Sequence, residues 1–204
     1  MREVIHHWWI FGLRSLLAIA LAAAIFLLQA WAKFSLLDAV TIPFMIIALS
    51  LYGILDSFLL IYQGMQFPSH SPARPISITQ GICGGAIGAI LLTVLFRAAE
   101  LRWFLYLITA QAAITGFFEV LSGLRFTGHL RDEWACFAAG AASMGFAVLL
   151  QATTVSNTEH ALSWFLGYAL LLAASMGWFS LRLRTLNREL PRLHEGQSKA
   201  TAAV

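Results

Sequence analysis

Three ionisable side chains, Arg14, Asp56 and Glu119, stand inside stretches that are otherwise apolar. Charges in such a setting are costly and are kept where they have a partner or a task. Arg14 lies six residues after Trp8, Asp56 six before Tyr62, and Glu119 six before Arg125. At the rise of a helix, each comes to about the same depth, roughly 9 Å from the nearer helix end. Gln80, near the start of another apolar stretch, reaches the same layer. Two chemistries are open to one guanidinium, two carboxylates and one amide in a plane. In the first, Arg14 pairs with one carboxylate, the other is protonated or bonded to Gln80, and the cluster locks the helices in register. In the second, the carboxylates form a protonatable pair that senses acidification or relays a proton.

Other chemistries find little support. The histidines His6, His7, His70, His129, His160 and His194 fall in loops, tails or span ends, none placed mid-span to ligate haem or chlorophyll. His6 and His7 are adjacent and so point apart on a helix. There is no histidine pair at helical i, i+4 spacing and no Cys-x-x-Cys, so neither a metal nor another cofactor is expected. Cys83 and Cys136 lie in apolar runs and read as small packing residues rather than a disulfide. Gly-x-Ser-x-Gly and phosphate-loop patterns are absent, no catalytic residue is assigned, and the chain is expected not to be an enzyme. Ser57 follows Asp56 but points about 100° away on a helix. Its hydroxyl is expected to bond back to its own helix.

The elements that must position these residues follow from composition. Of 204 residues, 59% are hydrophobic and 11% charged, against about 45–50% and about 25% in ordinary globular chains. Mean hydropathy is +0.76. Such a chain has too few charges to coat a soluble surface, which excludes a soluble enzyme, a disordered chain and a nucleic-acid-binding module. It reads as an all-α polytopic membrane protein. Six stretches reach the roughly 20 residues a bilayer requires: about 8–30, 37–62, 78–97, 101–123, 134–152 and 161–181. Together, 1–184 form one transmembrane domain. The longest connection, Gln63 to Ser77, carries Pro68, Pro72 and Pro75 and reads as a loop. Residues 185–204 read as a polar, solvated and partly disordered cytoplasmic tail. The first stretch is long and flanked by Trp8, Trp9 and Trp31, which suit membrane interfaces, so it is expected to remain as a span. Trp103, Trp134, Trp164 and Trp178 are placed as further interface anchors.

Net charge is +3. One side of the predicted bundle holds Arg2, Arg14, Arg74, Arg125, Arg131, Arg182, Arg184, Arg188, Arg192 and Lys199; the other holds Lys33, Arg97 and Arg102. The positive-inside rule then predicts both termini in the cytoplasm.

The spans read as three pseudo-repeated helical hairpins. Gly53-Ile54-Leu55-Asp56 in the second recurs as Gly116-Phe117-Phe118-Glu119 in the fourth, 63 residues later. Trp9 and Ser15 of the first match Trp134 and Gly140 of the fifth. Tyr168 in the sixth matches Tyr52, with Leu172 at the acid position. Gly81, Gly84, Gly85 and Gly88 make two overlapping Gly-x-x-x-Gly patterns in the third span, and Gly140 and Gly145 lie in a small-residue run of the fifth. Small residues let helices approach closely in lipid. These two runs are expected to pack on each other, or to form a docking face for a second copy or a larger complex.

Trp8-Trp9, Leu13-Arg14-Ser15 and Leu51-Tyr52-Gly53-Ile54-Leu55-Asp56 resemble the HdeD-like family of bacterial inner-membrane proteins. So do Trp134, Gly167-Tyr168 and the Arg182-Leu183-Arg184 exit. The resemblance runs from about 8 to 184 and implies a non-enzymatic role in acid or envelope stress. The chain departs from the family where Ala30-Trp31-Ala32-Lys33 stands in place of its usual proline, and where the sixth span lacks a counterpart of Gly53. Two other readings remain. One is an accessory subunit of a photosynthetic or respiratory complex, touching lipids and pigments through aromatic faces. The other is a small proton or solute transporter, which requires a polar path through Gln29, Thr41, Thr93, Gln111 and Gln151. Membrane lipids, a second copy or a larger membrane complex are the expected partners, and nucleic acid is not.

Overall fold

The computed structural model describes residues 7–32, 38–96, 101–126, 134–153 and 158–201. Six α-helices follow in chain order: α1 Trp8–Ala32, α2 Asp38–Gln66, α3 Ala73–Phe96, α4 Leu101–Phe126, α5 Trp134–Thr153 and α6 Thr158–Thr201. No strand occurs among the described residues. Readings on Arg2, His6, Lys33, Arg97, His129 and Arg131 lie outside them, as do the side chains of Thr41, Arg102, Trp103, Arg125, Trp134, Cys136, His160, Arg192, His194 and Lys199.

Five helices are long and apolar enough to cross a membrane, by length and composition: all but α5. The apolar stretch described there, Phe137–Ala152, is shorter. In the apolar stretches, large apolar side chains face outward as well as inward. Leu16, Phe26, Phe58, Val148 and Leu181 face outward, while Ile10, Ile25, Leu91, Leu150 and Phe165 are buried. An outer surface of that kind is stable against lipid and not against water.

The helices form a ring in chain order, closed by α1 against α6. The closest pairs are α2 with α3, α4 with α5, and α1 with α6. The expected hairpins, α1 with α2, α3 with α4 and α5 with α6, are the looser neighbours. Small residues decide the close pairs. A Cβ built on Gly116 would stand 2.7 Å from the Gly140 carbonyl oxygen, and one on Gly140 2.8 Å from the Gly116 oxygen. Only glycine permits that backbone approach. The Gly81, Gly84, Gly85 and Gly88 face meets Ser50, Ile54, Ser57 and Ile61 of α2. The two small-residue runs therefore pack on different helices, not on each other. Gly145 faces open space, which corrects its assignment to packing within the bundle.

The proline-rich connection is shorter than expected. Helix α2 runs to Gln66 and α3 starts at Ala73. Ser71 caps α3: its hydroxyl accepts the Ala73 N–H at 3.4 Å and its carbonyl the Arg74 N–H at 3.2 Å. Pro72 then immediately precedes α3 and Pro75 falls in its first turn, where proline is tolerated. Phe67 anchors the connection by burying its ring with Phe11, Met176 and Phe179. The region from 185 is not a loose tail through Thr201, because α6 continues unbroken for 44 residues. Leu183 and Leu186 hold its first part against Trp8 and Phe67.

Candidate functional site: a buried arginine with two carboxylates

Helices α1, α2 and α4 each send one charged side chain into the bundle. Arg14 Nε donates to Asp56 Oδ1 at 2.6 Å, and Arg14 Nη2 donates to Asp56 Oδ2 at 3.1 Å. This two-point geometry is the strongest form of such a pair. Glu119 Oε1 stands 3.9 Å from Arg14 Nη2, too far for a hydrogen bond. The Arg14, Asp56 and Glu119 side chains are 6%, 11% and 6% exposed. Both Glu119 carboxylate oxygens are buried with no hydrogen-bond partner. The guanidinium is thus committed to Asp56, and Glu119 is a second acid with no donor of its own.

Gln80 is also buried, but its Nε2 has no partner. The expected amide–carboxylate bond is not made. Ser57 donates to the Gly53 carbonyl at 2.6 Å, as its position on the helix predicted.

Beside Asp56 lies a small cavity that sequence reasoning did not assemble. Its polar lining is Tyr52, Asp56, Gln111, Thr115 and Tyr168; apolar side chains, among them Leu49, Ile108 and Phe165, complete it. Gln111, Thr115 and Glu119 are spaced i, i+4, i+8 and so share one face of α4. Tyr52 and Asp56 do the same on α2. That spacing was the available signal. Gly53 makes room for the cavity wall, since a Cβ there would stand 2.8 Å from Gln111 Nε2. Tyr168 stacks on Phe146 at a centroid distance of 4.2 Å and donates to Ser143 at 3.1 Å.

Of the other polar residues expected along a transport path, Gln29, Gln151 and Thr93 are elsewhere. Gln29 bonds Ser163 at 3.4 Å and Gln151 bonds Thr109 at 3.3 Å, both at exposed positions. Thr93 donates to its own helix at Ile90. Past Gln111 the bundle closes with Ile25, Met45, Ile46, Leu91 and Leu150. Among the described residues no group of three or more His, Cys, Asp and Glu could hold a metal.

Compared with family models, curated proteins and solved structures, the chain matches none.

Proposed function

We propose that this is a non-enzymatic bacterial inner-membrane protein, with six spans and cytoplasmic termini, that serves in acid or envelope stress by taking up one positive charge at Glu119. The observation that carries the reading is the pair of buried Glu119 oxygens without a donor, beside an arginine already paired with Asp56. One cation cannot balance two carboxylates, and a buried unbalanced charge is costly. A proton at Glu119 restores neutrality. The charged and titratable groups around Glu119 among the described residues are Arg14 from α1, Asp56 and Tyr52 from α2, and Tyr168 from α6. Support for the acid-stress setting comes from the HdeD-like resemblance, and support for the topology from the ten-to-three split of Lys and Arg. A reading as three pseudo-repeated hairpins is supported by the recurrence of Gly-x-x-acid at Asp56 and Glu119. The apolar closure above Gln111 favours a sensor over a transporter.

The test is acid challenge of a strain whose own copy is replaced by Glu119→Gln or Asp56→Asn, with membrane levels measured in parallel. Lower survival for Glu119→Gln at normal protein level is the expected result. Unchanged survival at that level overturns the proposal.

A second reading, an accessory subunit of a larger membrane complex, is favoured by one feature. Ala138, Ala141 and Gly145 form an outward small-residue face on α5, and Gly145 has no neighbour. Native extraction distinguishes the two: co-migration with a large complex supports the subunit, a lone chain or homo-oligomer the first reading.

A further inference from the structure

The cavity beside the acid layer has five polar side chains in an otherwise apolar lining. The side chains of Tyr52, Gln111 and Thr115 line it, and none makes a hydrogen bond to another described residue. All three are half-buried, with polar groups available to the cavity they line. Asp56, also in the lining, makes one contact per carboxylate oxygen with Arg14, which leaves lone pairs available. The free space is about 40 Å³, and one water needs roughly 10–15 Å³ on the same measure. A water site also requires two to four polar partners, which five polar side chains supply.

We propose that this cavity holds a cluster of about two or three ordered waters bonded to Asp56, Tyr52, Thr115 and Gln111, and that the cluster is the proton reservoir of the acid layer. The first half stands on the cavity alone; the second rests on the proposed function. Thr115 is one helical turn from Glu119 and Gln111 two turns, so the polar face of α4 spans about 12 Å. Ile108, Leu49 and Phe165 belong to its apolar lining. Water there solvates the layer without opening a path across the bundle. It also accounts for Gly53: a larger residue at that position pushes the Gln111 amide out of place.

The experiment is water-edited solid-state NMR on the full chain in lipid vesicles, with ¹⁵N on glutamine side chains. The expected result is early magnetisation transfer from water to the Gln111 amide, most of it lost in Thr115→Val, which keeps the shape and removes the hydroxyl. No early transfer in the unaltered chain, or unchanged transfer in Thr115→Val, overturns the water cluster. Glu119→Gln serves as the separating variant. It keeps the transfer if the cluster is real, whether or not acid survival changes, so failure of the stress role and failure of the cluster give different records.

Discussion

Glu119 is a spare counter-ion for Arg14, and stability measurements can show it. In Asp56→Asn the guanidinium loses its charged partner, whose nearest contacts are 2.6 and 3.1 Å. Glu119 waits at 3.9 Å. A charge-assisted bond forms at about 2.7–2.9 Å, so a shift of roughly 1 Å of a flexible side chain restores a pair. The expected cost of Asp56→Asn alone is therefore about 1–2 kcal/mol, well under the roughly 3–5 kcal/mol of a buried pair broken outright. Glu119→Gln alone removes an acid without a donor and is expected to cost near zero, within about 0.5 kcal/mol. The double variant strands the buried guanidinium and should cost the full 3–5 kcal/mol or so. The excess over the two single changes is about 2 kcal/mol, inside the usual range for coupled residues. Reversible unfolding in mixed micelles, followed by circular dichroism, measures all four proteins. If the double variant equals the sum of the singles, Glu119 does not stand in for Asp56 and the reasoning fails. If Glu119→Gln alone is as damaging as Asp56→Asn, the Glu119 carboxylate already has a partner.

Two further predictions concern the frame. Gly116→Ala or Gly140→Ala forces a Cβ to within 3 Å of the facing backbone and should destabilise by about 1–3 kcal/mol. Gly145→Ala meets nothing and should be neutral or stabilising by about 0.5–1 kcal/mol; a loss of stability at Gly145 instead reveals a partner on that face. For topology, single cysteines placed near residue 2 and residue 199 in a background without Cys83 and Cys136 should resist membrane-impermeant thiol reagents in intact cells and react in inverted vesicles, and labelling of either in intact cells overturns the orientation.

Depth was legible in the sequence and direction was not. Helical rise is a fixed ruler, so counting from Trp8, Tyr62 and Arg125 was enough to bring Arg14, Asp56 and Glu119 into one layer. The same count admitted Gln80, which the structure leaves unpaired. Direction in soluble helices is read from the alternation of apolar and polar faces. Here both faces are apolar: on α4, Phe117 and Leu124 point outward while Ile108 and Ala112 are buried. The pattern that would reveal which helices touch is therefore silent, and the close pairs came out differently from the expected hairpins. Glycines carried some of the missing information. Gly81 to Gly88 marked a close contact correctly, though not with whom. The prolines after Gln63 misled because Pro72 immediately precedes α3 and Pro75 falls in its first turn, where proline is tolerated. Thr115 was passed over because a lone threonine in an apolar run has no distinguishing spacing until Gln111 and Glu119 are read with it.

The close pairs and the charged layer are linked by a repeated local device. The residue after each charge contacts the helix's close partner. Ser15 follows Arg14, and its hydroxyl donates to the Ala173 carbonyl of α6 at 2.8 Å. Ser57 follows Asp56, and its hydroxyl lies against Gly84 of α3. Val120 follows Glu119, and its side chain fills the space beside Gly140 of α5. Successive residues on a helix differ by about 100° in direction. Each helix thus points its charge inward and its neighbour sideways, and the sideways contact fixes how far the helix can rotate. The layer's geometry is consequently imposed by three separate pairs. Glu119 closes on Arg14 by side-chain movement, because the close Gly116–Gly140 backbone contact holds α4 in place. Held in that way, the second acid keeps its distance from the arginine, and a proton is the cheapest way to neutralise it.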